Sequence, residues 1–109
     1  MSRIKGSHFE DRACEYLISN GYQICERNFY AKKLGEIDII AKKDEIYHFI
    51  EVKSGESFEV VENITPAKLS KLKRSILYYL QIKKLDVAFC IDAIIFQGEE
   101  LEFLENITL

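Results

Sequence analysis

The stretch from Gly35 to Lys53 constrains this chain more than any other. Its first half is Gly35-Glu36-Ile37-Asp38-Ile39-Ile40-Ala41, and its second is Ile46-Tyr47-His48-Phe49-Ile50-Glu51-Val52-Lys53. Both alternate or run apolar with β-branched and aromatic residues, which predicts two strands. The break Lys42-Lys43-Asp44-Glu45 is short and polar, so a hairpin is the simplest connection. A loop symmetric about Lys43-Asp44 sets Asp38 opposite Phe49 and Glu36 opposite Glu51. Side chains two apart share a face of a strand, so Glu36, Asp38, Glu51 and Lys53 point one way. Ile37, Ile39, Ile50 and Val52 then form plain core on the other face. On this register Asp38 and Glu51 are diagonal neighbours, about 7–8 Å apart at most. Three acids and a lysine on one face of a hydrophobic hairpin need a chemical explanation.

The flanking elements follow from periodicity and punctuation. Ser7 to Asn20 reads as a helix, with Phe9, Ala13, Tyr16 and Leu17 on one stripe and Asn20-Gly21 as the stop. Glu10 falls at the edge of that stripe, whereas Asp11 and Glu15 fall on the solvent side; a first-turn carboxylate favoured by the helix dipole is the bland account of Glu10. Tyr22 to Phe29 reads as a strand with Tyr22, Ile24, Glu26 and Asn28 on one face. Tyr30 to Leu34 is a basic connector. Ser54 to Asn63 is polar, contains Gly55 and reads as a loop beside the end of the Glu51–Lys53 strand. Thr65-Pro66 is a helix start, with an N-cap hydroxyl and a proline at the first helical position. That helix runs to about Lys83, with Leu69, Leu72, Ile76 and Leu80 on its buried stripe, joined by Leu77 and Tyr79. Lys68, Lys71 and Arg74 form a basic stripe, a pattern that by itself commonly marks a solvated face. Asp86 to Phe96 reads as a buried strand and Leu101 to Leu104 as a short edge strand after the turn at Gln97-Gly98-Glu99-Glu100. The order α-β-β-β-α-β, with one added strand, predicts an α/β fold: a mixed sheet flanked by helices with a C-terminal β-hairpin extension.

Composition sets the outer bounds. The 109 residues suit a single domain, and at 48% hydrophobic they can bury a core without disulfides or a structural metal. Cys14, Cys25 and Cys90 are odd in number, lack any CxxC spacing and have no histidine nearby in ligand spacing, which predicts free thiols in a reducing, cytoplasmic setting. The sequence at the N-terminus carries no apolar signal region, and no apolar run approaches the ~20 residues that cross a bilayer. Net charge is −3, whereas a phosphate-binding surface is normally basic. The charges are unevenly spread, however: Lys68, Lys71, Lys73 and Arg74 cluster, and Glu99, Glu100, Glu102 and Glu105 crowd the end.

Acids converging on one site repel one another unless a cation sits among them. Carboxylates without Cys or His suit a hard ion, Mg²⁺ or Mn²⁺. Such an ion meets phosphate oxygens as a Lewis acid and lowers the pKa of a bound water. A lysine two residues beyond the carboxylate can orient that water or stabilise charge on phosphorus. Asp38, Glu51 and Lys53 thus fit metal-assisted phosphodiester hydrolysis. The competing structural account is a buried Asp38–Lys53 salt bridge, because an unpaired Asp38 among Ile37, Ile39 and Ile40 would be costly.

Gly35-Glu36-Ile37-Asp38, the thirteen-residue step to Glu51, and Glu51-Val52-Lys53 resemble the signature of the PD-(D/E)xK nuclease superfamily. The chain from Gly6 to Asp92 is similar to the uncharacterised bacterial YraN-like family. The similarity is carried by Gly6-x-x-x-Glu10, Tyr16-Leu17, Gly21-Tyr22, Arg27-Asn28, Gly35-Glu36-Ile37-Asp38 and Phe49-Ile50-Glu51-Val52-Lys53. The resemblance implies a restriction-endonuclease-like αβββαβ core, with Asp38 and Glu51 binding Mg²⁺ or Mn²⁺ and Lys53 assisting the attacking water. Archaeal Holliday-junction resolvases of this superfamily carry a further metal-site glutamate on the first helix, matched here by Glu10. By the same resemblance Glu36 stands behind the metal ligands and Lys68 contacts phosphate, with Lys71 and Arg74 beside it as nucleic-acid-binding candidates. The expected partner is a nucleic acid, DNA ahead of RNA, and branched or junction DNA in particular. A two-fold homodimer would suit a symmetric junction, and the acidic balance would suit recruitment by a protein partner. A non-catalytic nuclease-fold binding module in repair or recombination is the alternative.

Overall fold

The computed structural model describes residues 2–56, 59 and 62–107, with side chains from His8 onward within those ranges. Helix α1 spans Ser2–Ser19 and is followed by strand β1, Gln23–Tyr30. A 3₁₀ turn at Lys32–Leu34 leads into β2, Glu36–Lys43, and β3, Ile46–Ser54. Helix α2, Pro66–Ile82, crosses to β4, Ala88–Gln97, and β5, Glu100–Leu104, closes the fold. The five strands lie in the order β1-β2-β3-β4-β5. Only β3 and β4 pair in parallel, as a connection through a helix allows; the other neighbours are antiparallel. This mixed sheet with two helices is the expected α/β architecture, compatible with a restriction-endonuclease-like core. The segment expected as a loop from Ser54 to Asn63 lies partly outside the described residues; of its described residues, Ser54 ends β3 and Glu59 and Glu62 are helical, the Asn63 N–H donating to the Glu59 carbonyl at 3.2 Å.

The two helices cover opposite faces of the sheet. Ala13 and Leu17 of α1 pack with Ile39, Ala41, Ile50, Ile94 and Phe96. Ile76 and Tyr79 of α2 pack with Phe29, Ile37, Ile40, Phe49 and Ile91. The stop at Asn20-Gly21 is a Schellman cap: Gly21 adopts φ +90, its N–H donates to the Ile18 carbonyl, and the Tyr22 N–H donates to that of Leu17. The Thr65 hydroxyl caps α2 by accepting the Lys68 N–H at 3.2 Å. Leu77, expected on the buried stripe, is 56% exposed, and Ser75 occupies the buried side instead. Among the described residues, no helix is long and apolar enough to cross a membrane.

Three corrections to the expected register matter for the site. The β2–β3 turn is centred on Asp44-Glu45, both at positive φ, as a two-residue type I′ hairpin requires. Ile39 therefore pairs with Ile50 and Ile40 with Phe49, which brings Asp38 abreast of Glu51 instead of Phe49. Second, β1 carries a bulge between Ile24 and Glu26. The bulge moves Glu26 to the α2 side, within 3.8 Å of Lys83, and Arg27 to the α1 side, against Asp11. Third, alternation breaks at Asp38. Ile37 belongs to the core under α2 and Ile39 to the core under α1, so they do not share a face. The opposing residue on β1 is Asn28, flanked by the pairs Arg27–Ile39 and Phe29–Ile37, and its φ is +53. Asparagine tolerates that left-handed backbone where a β-branched residue would not, and so accommodates the irregularity beside Asp38.

Candidate functional site

The break in alternation creates the site. The paired register of β2 with β3 ends at Ile39–Ile50. One residue further, the Asp38 side chain takes over from the ladder, its Oδ2 accepting the Val52 N–H at 2.8 Å. Glu51 lies on the α2 side of β3, between Ile50 and Val52, which face α1. It lines a cavity of about 510 Å³ under the first half of α2, shared with Glu36, Lys53, Lys68 and Lys71. Gly35, at φ +122, forms part of the same wall, where a side chain would strain the backbone.

The electrostatics are those of crowded acids held out of water. Glu51 Oε2 is sealed from solvent and has no hydrogen-bond partner among the described residues. Burial pushes the Glu51 carboxyl up to about 8, and the charge of Asp38 pushes the same way, against the partial relief of Lys53. Asp38 is raised to about 6 by burial, with Glu10 and Glu36 adding to it; the Val52 N–H and Lys53 oppose the shift. Among the described residues Asp38 and Lys53 make no close ion pair, and Lys53 is exposed. The charge of Lys53 offsets only part of what burial does to Asp38.

Glu10 arrives from α1, on the other side of the break. Asn28 Nδ2 donates to its Oε1 at 3.0 Å, Arg27 Nη2 stands 3.7 Å from the same oxygen, and its charge acts on Asp38. The structure thus brings Glu10, Glu36, Asp38, Glu51 and Lys53 into one electrostatic neighbourhood, with Lys68 and Lys71 in the cavity wall. Arg74 is exposed and outside that lining. Arg27 and Asn28 position Glu10, a role with no signal in the periodicity because it depends on the β1 bulge.

The donor set suits a cation. An orphaned, buried carboxylate oxygen beside two or three further carboxylates is the arrangement a hard divalent ion satisfies, and the absence of sulfur and imidazole excludes a softer preference. Asp38 and Glu51 are the residues that could hold it, with Glu10 reaching toward Asp38 from α1, although the three do not bring their oxygens within 4.8 Å of one another in this structure.

Sheet order, flanking helices and the polar cavity define an α/β domain with its site where two central strands part. The chain belongs to the uncharacterised protein family UPF0102, whose model matches residues 9–96. It is similar to a UPF0102 protein of Helicobacter hepaticus, 56% identical over 99% of this chain and 97% of the relative. The UPF0102 protein WS0451 of Wolinella succinogenes is 54% identical, with both chains fully covered. One from Sulfurovum sp. is 53% identical over all of this chain and 97% of the relative.

Proposed function

We propose that this protein is a Mg²⁺- or Mn²⁺-dependent nuclease that hydrolyses DNA phosphodiester bonds. The observation that carries the reading is the sealed, unpartnered Oε2 of Glu51 abreast of Asp38, on a residue that lines a cavity with three lysines. In this reading Asp38, Glu51 and Glu10 hold the cation. The bound ion supplies Lewis acidity and a more acidic water. Lys53, on the same face of β3 as Glu51, orients the attacking water and stabilises negative charge gathering on the phosphate. Lys68 and Lys71 receive phosphate oxygens at the cavity wall, and Asn28 and Arg27 keep Glu10 turned toward Asp38. Branched DNA as substrate, and DNA before RNA, rest on the motif resemblance. The net charge of −3 keeps phosphate contacts local and salt-sensitive, which favours recruitment by a partner for tight binding.

The test is cleavage of a labelled four-way junction, a flap and a linear duplex at low salt with Mg²⁺, Mn²⁺ or EDTA. Metal-dependent cutting is expected, abolished in Asp38→Ala and reduced about 10²–10³-fold in Lys53→Ala. Mn²⁺ binding by calorimetry without cutting of any substrate would replace the enzyme by a nuclease-fold binding module. Absence of both would overturn the metal site as well.

A further inference from the structure

A second group of ligating side chains lies on the opposite face of the sheet from Glu51. His48 on β3 is in register with Cys90 on the parallel strand β4, and Ile50 with Asp92. Because Ile50 and Ile94 face α1, the alternate positions His48, Cys90 and Asp92 project to that side. His48 Nδ1 lies 2.6 Å from Asp92 Oδ2 and 3.1 Å from Cys90 Sγ, and that sulfur is 3.5 Å from Asp92 Oδ1. All three ligand atoms fall within 4.8 Å of one another. Asp92 is fully buried and also accepts the Asn106 N–H at 2.7 Å. The Tyr22 ring stands edge-on to His48, with centroids 4.9 Å apart.

Two accounts of such a trio are chemically distinct. A nucleophile–base–acid relay uses both imidazole nitrogens, one for the nucleophile and one for the carboxylate. Here Cys90 and Asp92 both meet Nδ1, so no relay is wired. A metal site needs the opposite: three donors aimed at one point. We propose that His48, Cys90 and Asp92 bind a borderline divalent transition ion of the zinc class, separate from the carboxylate site beside Asp38.

The donor types support the class. Nitrogen, sulfur and a single carboxylate match Zn²⁺ and are unsuited to Mg²⁺. Bond lengths of about 2.0–2.3 Å in a tetrahedron separate ligand atoms by about 3.3–3.8 Å. With Asp92 binding through Oδ2 while Oδ1 keeps the Asn106 N–H, the Nδ1–Sγ distance of 3.1 Å and the Nδ1–Oδ2 distance of 2.6 Å open by about 0.4 and 0.7 Å. Until an ion arrives the three groups satisfy one another, so an empty site leaves no buried orphan. As the metal–sulfur bond forms, the Cys90 thiol proton leaves to solvent, and His48 binds through Nδ1 as the neutral tautomer that keeps its proton on Nε2. Three protein ligands leave a fourth position for water, and the charge of nearby Glu105 bears on Cys90. The Asn106 N–H on Asp92 and the Ile107 N–H on the Ile91 carbonyl at 2.7 Å fasten the last described residues to the same strand. The ion would therefore also brace that segment.

The experiment is a Co²⁺ titration of chelator-stripped, reduced protein with excess Mg²⁺ present to occupy the carboxylate site. One equivalent should bind, with a thiolate-to-cobalt charge-transfer band that Zn²⁺ bleaches. Cys90→Ser should lose the band, Cys14→Ser and Cys25→Ser should retain it, and His48→Gln should weaken binding at least tenfold. Zn²⁺ should also slow alkylation of Cys90 in the unmodified protein at least tenfold, mapped by mass spectrometry, which needs no variant to fold. No band in the unmodified protein, a band that survives Cys90→Ser, or unchanged alkylation would overturn the site. None of these outcomes depends on nuclease activity.

Discussion

Glu51 illustrates how one side chain couples stability to pH. Its carboxyl is raised by burial from 4.5 in the free side chain to about 8. Between these values the folded state keeps a proton that the unfolded chain has released, so stability falls as pH rises through that window. Glutamine cannot ionise. In EDTA, Glu51→Gln should therefore be more stable than the parent at pH 8.5, on the order of 2–4 kcal/mol, with the gap closing near pH 4.5. Urea denaturation at the two pH values measures this, and a Gln variant that is weaker at pH 8.5 would refute the burial account. Asp38 behaves differently at the same scale, because the Val52 N–H offsets part of its cost.

At the scale of elements, the β2–β3 hairpin decides which acids meet. A turn at Asp44-Glu45, with φ of 52 and 67, pairs Ile39 with Ile50 and sets Asp38 beside Glu51. Glu45 is a poor residue for that backbone, which costs an L-residue about 1–2 kcal/mol. Glycine relieves the strain but loses more chain entropy, about 0.5–1 kcal/mol. Glu45→Gly should thus stabilise the fold by up to about 1 kcal/mol by thermal denaturation. The Lys42–Glu45 contact it removes is 3.4 Å long and largely exposed, so it subtracts little. A clear loss of stability would show that the turn is not of this type.

For the whole molecule, sheet and helices place like charges together at a cost that the proposed cation would remove. Mn²⁺ that binds the folded protein but not the unfolded chain raises the melting temperature by mass action, about 2.7 kcal/mol of added stability at a hundred times the dissociation constant. The shift should grow from pH 6 to pH 8.5, because deprotonated Glu51 and Asp38 are the strained state and, in the proposed site, the liganding state. It should vanish in Asp38→Ala. Scanning calorimetry with and without Mn²⁺ at the two pH values checks the trend, and a pH-independent shift would place the ion elsewhere.

Element type and order were legible in the sequence because they depend on local signals. The stripe of Ala13 and Leu17, the Thr65-Pro66 start and the β-branched runs each point to one structure. Asp38, Glu51 and Lys53 stood out by themselves, because charge in an apolar strand is expensive wherever the strand lies. What the tertiary structure decided was direction and distance. A one-position shift in the hairpin centre changed Asp38 from a diagonal to a direct neighbour of Glu51. The bulge near Cys25 and the left-handed Asn28 turned Arg27 and Asn28 toward Glu10. Cys90 and His48, 42 residues apart, carry no shared spacing, so their meeting appears only once β4 lies parallel to β3. Periodicity reports which side of an element is apolar; register, bulges and crossovers, set by packing across the sheet, determine which polar groups face one another.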